Sequence, residues 1–330
     1  MTVINGIEID FIEYHENTIK SAIKNNDPIE NKLHVIAVIS NPCLYAKRYI
    51  LMKEFIHRMN IEEENVIMYI VELAYGNQKF LITEKNNPQH LQIRTECPIW
   101  HKENMINLGV KYLLPKNYKA FAWIDADIEF DSSTWAQDTL KILNGSQDIV
   151  QLFSHAIDMN PSKMAMKVFN SAGFQYIKNK KHVNSGINYS HPGYAWAITR
   201  KAYEKIGGLY ENSILGSGDH IMVLSLLKNG ICAINEHCTD DYKSDILRFQ
   251  KNMQTLRLGY VPGVIRHYYH GSKKNRKYSE RWKILVEHQF SPIKDIKRNK
   301  QGILVPTETF SDALKKDILQ YFLERNEDEG

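Results

Sequence analysis

"FAWIDADIEFD", residues 121–131, joins a short apolar segment to a cluster of acidic residues. The segment from Ala120 to Ile124 follows a polar turn, a pattern typical of an interior strand of a parallel sheet. Asp125 and Asp127 then lie at the carboxyl end of that predicted strand, the end at which open α/β sheets bind ligands. Because two close carboxylates repel each other unless a cation lies between them, the stretch predicts a metal-dependent site.

Length and composition set the class of protein. The 330 residues are enough for one large α/β domain or two small ones, and 43% hydrophobic with 24% charged residues is typical of globular proteins. With 42 basic and 38 acidic residues, the net charge of +4 is too balanced to indicate nucleic-acid binding. We therefore expect no nucleic-acid partner, and the substrate must be inferred from local motifs.

The N-terminal region and the cysteines favour the cytoplasm. The first 18 residues are rich in acidic residues and lack the basic and apolar regions of a signal peptide, and no apolar run is long enough to span a membrane. Cys43, Cys97, Cys232 and Cys238 form no CxxC pair and no zinc pattern. We expect free thiols in a reducing compartment.

Strands and helices alternate over the first 130 residues, which predicts a parallel sheet with helices on both faces. The predicted strands are 33–40, 65–75, 80–83, 91–96 and 120–124, and the predicted helices include 45–60 and one opened by Pro98. Beyond this part, we predict helices at 133–143, at the end of 193–208, in 215–230 and in 245–259, and strands at 148–157 and at the start of 193–208.

The acidic motif is consistent with one kind of metal site. An EF-hand is excluded because its required glycine would fall on Phe130 and its bidentate glutamate on Ala136. A hard divalent ion with oxygen ligands, Mg²⁺ or Mn²⁺, remains, and such ions are often shared with substrate phosphates. The motif therefore indicates a nucleotide diphosphate, although Asp-x-Asp alone also occurs in ordinary turns.

A second motif, "RHYYHGSKKNRKY" at 266–278, contains His267, His270, Lys273, Lys274 and Arg276 among aromatic residues. One interpretation is a basic surface loop. The other is a clamp for a diphosphate and its metal, because imidazole suits Mn²⁺ better than Mg²⁺ and cationic side chains neutralise a departing phosphate.

Two further segments lie between these motifs: "GYAWAI" at 193–198 and "GSGDH" at 216–220. Tyr194 and Trp196 could be core aromatics, and Asp219 could only cap a helix. Glycines in both segments, Gly193 and Gly218 among them, permit close approach of a ligand to the backbone, which favours a binding site.

Taken in order, the four segments resemble the GT-A fold glycosyltransferases, the nucleotide-diphospho-sugar transferases, and among them inverting galactosyltransferase-like families. The resemblance covers roughly residues 33 to 290. It implies an α/β fold of the GT-A type, Rossmann-like, with a mixed, mostly parallel central sheet flanked by helices and a single catalytic domain. "GSGDH" lies where the family has its catalytic base, but Gly218 stands where the family usually has Glu, so the acceptor is left open.

The resemblance also implies an activity. It is the metal-dependent transfer of a hexose or N-acetylhexosamine from a UDP-sugar to a glycan, glycolipid or glycoprotein, with Asp219 as the base of an inverting reaction. The implied cofactor is Mn²⁺ or Mg²⁺, held by Asp125, Asp127, His267 and His270.

Further site residues follow from the same resemblance. Those implied for the donor nucleotide are Ser40, Asn41, Arg48, Glu72, Lys102, Asp125, Ala126, Lys273, Lys274 and Arg276, and those for the sugar and acceptor are Gly193, Tyr194, Trp196, Gly218 and His220. The implied organisation is a polar extension at 1–32, a nucleotide-sugar-binding half at 33–130, an acceptor-binding and catalytic half at 131–290, and a charged tail at 291–330.

Three other classes of protein share parts of this pattern. A haloacid-dehalogenase-like phosphatase also ends an apolar strand in Asp-x-Asp, but Glu129 replaces its usual Thr or Val and "GDHIMV" lacks its second Asp. A sugar-nucleotide pyrophosphorylase needs a glycine-rich loop that "SNPCLYAKRY" lacks. A catalytically inactive sugar-nucleotide-binding module is disfavoured by the presence of both the acidic pair and Asp219.

Overall fold

A computed structural model describes residues 2–4, 7–9, 18–182 and 189–329 of the chain. The strands are β1 Thr2–Ile4, β2 Ile7–Ile9, β3 Leu33–Ser40, β4 Val66–Tyr75, β5 His90–Thr95, β6 Ala120–Ile124, β7 Ile128–Phe130, β8 Ile149–Gln151, β9 His155–Met159, β10 Ala165–Ser171, β11 Ser190–His191, β12 Ala195–Thr199, β13 Leu258–Tyr260, β14 Val264–His267, β15 Ile296–Arg298 and β16 Leu304–Pro306. The α-helices are α1 Thr18–Asn25, α2 Ala46–Glu62, α3 Lys102–Tyr112, α4 Trp135–Leu143, α5 Ala172–Ile177, α6 Arg200–Ile206, α7 Gly218–Leu226, α8 Asp240–Met253, α9 Arg281–Glu287 and α10 Asp312–Glu324.

A seven-stranded sheet forms the centre of the molecule, in the order β13-β8-β12-β6-β3-β4-β5. Strands β6, β3, β4 and β5 are parallel, β13 is parallel to β8, and only β12 runs antiparallel to both of its neighbours. The prediction of a mixed, mostly parallel α/β sheet is therefore confirmed.

The central sheet is covered on both faces because its strands are apolar on both faces. In β6, Phe121 and Trp123 pack into one core cluster with residues of α3, α7 and α8, whereas Ala122 and Ile124 pack into a second cluster with residues of α1, α2 and α4. None of the helices in the described part of the chain combines the length and the apolar character needed to cross a bilayer.

A smaller five-stranded sheet, in the order β11-β10-β9-β14-β7, lies beside the large one. Four short segments lead from a strand of one sheet to a strand of the other: 125–127 from β6 to β7, 152–154 from β8 to β9, 192–194 from β11 to β12, and 261–263 from β13 to β14. Two of these segments contain predicted site motifs. The site therefore lies where the two sheets meet.

Residues 80–83 are predicted as a strand, and this prediction is wrong. The segment is a loop held by the buried Glu72, whose carboxylate accepts hydrogen bonds from the backbone N–H groups of Leu81 (2.7 Å), Ile82 (3.1 Å) and Thr83 (2.8 Å). Three amides turned toward one carboxylate cannot pair with a neighbouring strand. A buried acid in β4 thus replaces sheet pairing in this segment.

The C-terminal segment also differs from its prediction as a charged tail. Residues 291–329 form β15, β16 and α10, and the apolar face of α10, with Leu314, Ile318 and Tyr321, packs into the main core. Ser311 caps this helix by accepting a hydrogen bond from the N–H of Leu314. The 3.6-residue spacing of these apolar side chains is visible in the sequence, but the many charges between them obscure it.

The last residues fold back against the first half of the chain. Glu327 is 1% exposed, and its carboxylate accepts from Nε (2.5 Å) and Nη2 (2.7 Å) of Arg48 and from Nε of Arg325 (2.6 Å). Asp328 accepts from the N–H groups of Ala46 and Lys47 at the start of α2. Burial raises the pKa of Glu327, but the two arginines outweigh this and hold it well below its usual range.

We predict that Glu327→Gln lowers the free energy of unfolding by about 3 kcal/mol, because the variant leaves Arg48 and Arg325 without their buried counter-charge. Urea denaturation measures this change. Glu329→Gln is the matched control: Glu329 is exposed, two residues away, and its loss is expected to cost less than about 0.5 kcal/mol. Equal effects of the two substitutions would show that the ion pairs of Glu327 with Arg48 and Arg325 do not stabilise the fold.

A second stability prediction concerns His155 in β9, which is 5% exposed and whose ring centroid lies 4.9 Å from that of Phe174. Burial, with a contribution from Lys178, lowers the pKa of His155 to about 4. The unfolded chain takes up the proton near pH 6.5, so protonation favours unfolding as the pH falls from about 6.5 to about 4, by up to about 3 kcal/mol.

Urea denaturation between pH 7 and pH 4 is expected to show a smaller loss of stability for His155→Gln than for the wild type. His237→Gln removes an exposed histidine and should keep the wild-type pH dependence. A His155→Gln variant whose unfolding free energy falls as steeply as that of the wild type would show that His155 is not the group responsible.

Candidate active site and metal centre

A cleft of about 1130 Å³ opens where the two sheets meet. Two of the four segments that link the sheets line it along their whole length, 125–127 and 192–194. The first turn of α7 and the loop after β14 also contribute. The charged and polar side chains along it include Ser40, Arg48, Lys102, Asp125, Asp127, Asp158, Lys167, His191, Ser217, Asp219, His220, Asn235, His267, His270, Lys273, Arg276, Ser279, Arg281, Arg325 and Glu327.

The backbone of the Asp-x-Asp segment is fixed at both ends. The N–H of Asp125 donates to the carbonyl of Tyr194 (2.8 Å), and the N–H of Tyr268 donates to the carbonyl of Asp127 (2.7 Å). The first bond extends the pairing of β6 with β12, and the second extends the pairing of β7 with β14. The backbone that carries the carboxylates of Asp125 and Asp127 is therefore rigid, but the two side chains contact different partners.

Asp127 lies beside both histidines of the C-terminal motif. Its Oδ2 is 2.6 Å from Nε2 of His270 and 3.5 Å from Nε2 of His267, and one ligand atom from each of the three residues lies within 4.8 Å of the other two. Oδ1 of Asp127 and Nε2 of His267 are buried, and neither has a hydrogen-bond partner among the described residues. These atoms fit a divalent cation, and two imidazoles with one carboxylate suit Mn²⁺ better than Mg²⁺.

The electrostatics of this cluster favour positive charge. Burial raises the pKa of Asp127, but His267 and His270 outweigh it and hold the pKa well below its usual range. Burial lowers the pKa of His267, but Asp127 and Asp158 outweigh it and raise the pKa to about 9. The two histidines therefore stabilise the negative charge of Asp127. A divalent cation bound at the same place would have the same effect.

Asp125, which the sequence places in the metal site, is not part of this cluster. Its Oδ1 lies 2.6 Å from Nζ of Lys102, and the same Nζ lies 3.4 Å from Oδ2 of Asp219. Burial raises the pKa of Asp125 to about 6, against the opposing effect of Lys102. Lys102, predicted to contact phosphates, instead bridges the first aspartate of the motif and the predicted base.

Asp219 projects into the cleft from the first turn of α7. A Cβ atom on Gly193 would come within 2.8 Å of Oδ2 of Asp219, so a side chain at position 193 would collide with this carboxylate. The hydroxyl of Ser217, the N-cap residue of α7, makes no capping hydrogen bond, and Lys102 is the side chain paired with Asp219. The position of the Asp219 carboxylate therefore explains why residue 193 is a glycine.

Gly218 is covered by Glu103 of α3. A Cβ atom on Gly218 would lie 2.2 Å from Oε1 of Glu103, whose side chain is buried. Burial, with a contribution from Asp219, raises the pKa of Glu103 to about 8. The space that a side chain at 218 would need is thus occupied by a carboxyl group from another element, and Gly218 itself does not line the cleft.

The cationic side of the cleft comes from the loop after β14 and from α2. Lys273 pairs with Asp158, and Nη2 of Arg276 lies 2.7 Å from Nε2 of His270. Arg48 lines the cleft but is held by Glu327 and by the carbonyl of Ser40. Ser40, Ala126 and His220 also lie along the cleft, as expected.

Besides Gly218, four predicted site residues lie outside the cleft. Asn41 is buried and holds the backbone of Tyr45 through both ends of its amide, and Glu72 holds the loop at 81–83. Trp196 is fully buried in the core, with its Nε1–H donating to the carbonyl of Pro192. Lys274 is the fourth. For Asn41, Glu72 and Trp196, satisfied internal contacts replace the ligand contacts expected from the sequence.

Tyr194 lies at the floor of the cleft in an unusual conformation. Its φ of 80° is in the left-handed region, which is costly for a bulky residue and is found mostly at functional sites. Its ring stacks on that of His191 with centroids 3.8 Å apart, and its hydroxyl donates to Asp158 (3.1 Å). Tyr194 thus connects the segment predicted to bind the sugar, 193–198, which we call the sugar-side segment, to Asp158 beside the metal cluster.

Several residues of the cleft were not found from the sequence, among them Asp158, His191, Tyr278, Arg325 and Glu327. Asp158 is opposite His267 only because β9 pairs with β14, more than a hundred residues later in the chain. Glu327 reaches the cleft only because α10 packs on the core. Neither the contact of Asp158 with His267 nor the position of Glu327 in the cleft can be predicted from a local sequence pattern.

The comparisons with known proteins give only distant likenesses. No family model matches the chain, and no curated protein has a matching sequence. Solved structures similar to it include the catalytic domain of Drosophila beta1,4-galactosyltransferase 7 in complex with xylobiose, at 10% identity and a TM-score of 0.36, covering 84% of this chain and 93% of that one.

A mutant of the same Drosophila enzyme, in complex with manganese, UDP-Gal and xylobiose, has a TM-score of 0.37 at 10% identity, with coverage of 84% and 93%. The 4-diphosphocytidyl-2C-methyl-D-erythritol synthase of Anaerococcus prevotii has a TM-score of 0.33 at 12% identity, covering 89% of this chain and 96% of that one. Likenesses at these scores are too weak to carry an argument about the activity of this chain.

Proposed function

We propose that the protein is a metal-dependent glycosyltransferase that transfers a hexose or N-acetylhexosamine from a UDP-sugar to a hydroxyl group of a glycan, glycolipid or glycoprotein. The observation that carries the proposal is one cleft that contains both the Asp127, His267 and His270 cluster and the carboxylate of Asp219. The order of the four sequence motifs supports the same assignment.

The donor side of the proposal uses the metal cluster and its cationic neighbours. Asp127, His267 and His270 would hold Mn²⁺, which neutralises charge on the diphosphate of the leaving nucleotide. Lys273 and Arg276 lie along the cleft beside this cluster and supply further positive charge. A volume of about 1130 Å³ exceeds the usual range for one small ligand, and so leaves room for donor and acceptor together.

The acceptor side uses Asp219. Its carboxylate would take the proton from the acceptor hydroxyl as the oxygen of that hydroxyl bonds to the anomeric carbon and the bond to the nucleotide diphosphate breaks. The result of this single displacement is inversion, so an α-linked donor gives a β-linked product. Nζ of Lys102 lies 3.4 Å from Oδ2 of Asp219, on the side of the cleft where this carboxylate projects.

The contacts of Asp125 disfavour the phosphatase alternative. In that chemistry the first aspartate of the motif attacks the phosphate, but here Asp125 is held by Lys102. The metal cluster also contains two imidazoles and leaves Asp125 out.

We predict that UDP stabilises the protein against heat only when Mn²⁺ is present, and that Asp127→Asn removes this effect. A ligand at 100 times its dissociation constant adds about 2.7 kcal/mol to the stability of the folded state. Differential scanning fluorimetry with UDP, GDP and CDP, each with and without Mn²⁺, measures the shift.

Asp131→Asn is the matched control, because Asp131 belongs to the same acidic run but pairs with Arg266 outside the cluster. It should keep the Mn²⁺-dependent shift. Equal stabilisation of Asp127→Asn and wild type would remove Asp127 from the metal site. Release of GDP from GDP-mannose, with no release of UDP from any UDP-sugar, would overturn the donor assignment.

We further predict that Asp219→Asn lowers the rate of transfer at least about a hundredfold, because general bases contribute about 10²–10⁴-fold. Nucleotide-dependent stabilisation should stay unchanged. Ser217 rather than Asp219 is the N-cap residue of α7, so loss of a helix cap would not explain such a drop in rate.

Asp240→Asn is a suitable control, because Asp240 lies in the first turn of α8 and is exposed. It should transfer sugar at the wild-type rate. Transfer by Asp219→Asn near that rate, or an α-linked product by NMR from an α-linked donor, would rule out Asp219 as an inverting base.

A further inference from the structure

Asp158 has no role in the sequence motifs, yet it lies directly behind one of the metal-cluster histidines. It is 3% exposed, and its Oδ1 is 2.8 Å from Nδ1 of His267. The strand register places the two residues opposite each other, because β9 is parallel to β14 and His267 pairs with Asp158. The contact is therefore fixed by backbone pairing as well as by the side chains.

Asp158 can only accept hydrogen bonds, and its oxygens face three donors. Tyr194 donates through its hydroxyl (3.1 Å), and Lys273 pairs with the second oxygen. The cationic Lys273 thus pairs with one oxygen of Asp158 while the ring of His267 faces the other, so both oxygens of an ion-paired carboxylate serve as acceptors. An ionised carboxylate requires Nδ1 of His267 to carry a proton.

The proton on Nδ1 determines what the other ring nitrogen can do. Nε2 of His267 lies 3.5 Å from Oδ2 of Asp127, is buried, and has no hydrogen-bond partner in the part of the chain that the structure describes. A neutral imidazole with its proton on Nδ1 directs the lone pair of Nε2 toward this point. Carboxylates placed in this way behind ligating histidines fix the tautomer and the ring orientation.

We propose that Asp158 is a positioning residue that fixes the tautomer and orientation of His267 for divalent metal binding. The inference rests on the metal centre of the proposed function. It extends that centre to a residue of β9 and, through Tyr194, connects it to the sugar-side segment of the cleft.

The test is the affinity for Mn²⁺ alone, measured by electron paramagnetic resonance titration of the full chain without nucleotide or sugar. Asp158→Asn is expected to weaken Mn²⁺ binding by about 10- to 100-fold. Asp131→Asn, which breaks an ion pair with Arg266 next to His267, should bind within about twofold of the wild type.

A double-mutant cycle separates positioning from general destabilisation. If Asp158 acts through His267, then Asp158→Asn should have little further effect on Mn²⁺ affinity in a His267→Gln background. The tautomer of His267 can also be measured directly in the wild-type chain by ¹⁵N NMR, with diamagnetic Zn²⁺ in place of Mn²⁺. Nδ1 of His267 should carry a proton and Nε2 should not.

Unchanged Mn²⁺ affinity in Asp158→Asn, an equal additional loss in the His267→Gln background, or an unprotonated Nδ1 would each overturn the inference while leaving the transferase proposal standing. A wild-type chain that binds no Mn²⁺ would overturn both.

Discussion

The arrangement of this cleft depends on the buried carboxylate of Asp127. One of its oxygens faces two imidazoles, and the other is buried with no hydrogen-bond partner among residues 18–182 and 189–329 or the two short N-terminal strands. A buried carboxylate with an unsatisfied oxygen is costly unless a positive charge compensates for it. The histidines, Arg276 and the proposed cation supply that charge, and the fold is built so that these groups converge from distant parts of the chain.

The convergence follows from the two-sheet architecture. Asp127 lies in the segment that leads from β6 to β7, and His267 ends β14, which pairs with β7 on one side and with β9 on the other. Each strand pairing brings one charged group to the junction, and the linking segments hold it there through main-chain hydrogen bonds. Asp219 reaches the same junction from α7, against the bare backbone of Gly193. A metal side and a base side therefore share one cleft.

The central sheet and the linear motifs could be predicted from the sequence because both depend on local patterns. Apolar runs ending in turns located β3, β4 and β6, and a pair of aspartates after β6 located the metal side. Contacts that depend on packing could not be predicted. Asp125 and Asp127 look equivalent in the sequence, yet Lys102 binds the first and the histidines face the second. Glu72 looks like a ligand at a strand end, yet backbone amides of a loop occupy its carboxylate.

The most direct test of the metal centre is an anomalous difference map from crystals of the protein soaked with MnCl₂ and UDP, recorded at the manganese edge. We expect one strong peak within about 2 Å of a carboxylate oxygen of Asp127 and of Nε2 of both His267 and His270. Asp125 would lie outside the coordination sphere and remain beside Lys102. A peak coordinated by Asp125 without the histidines, or no peak in the cleft, would contradict this expectation.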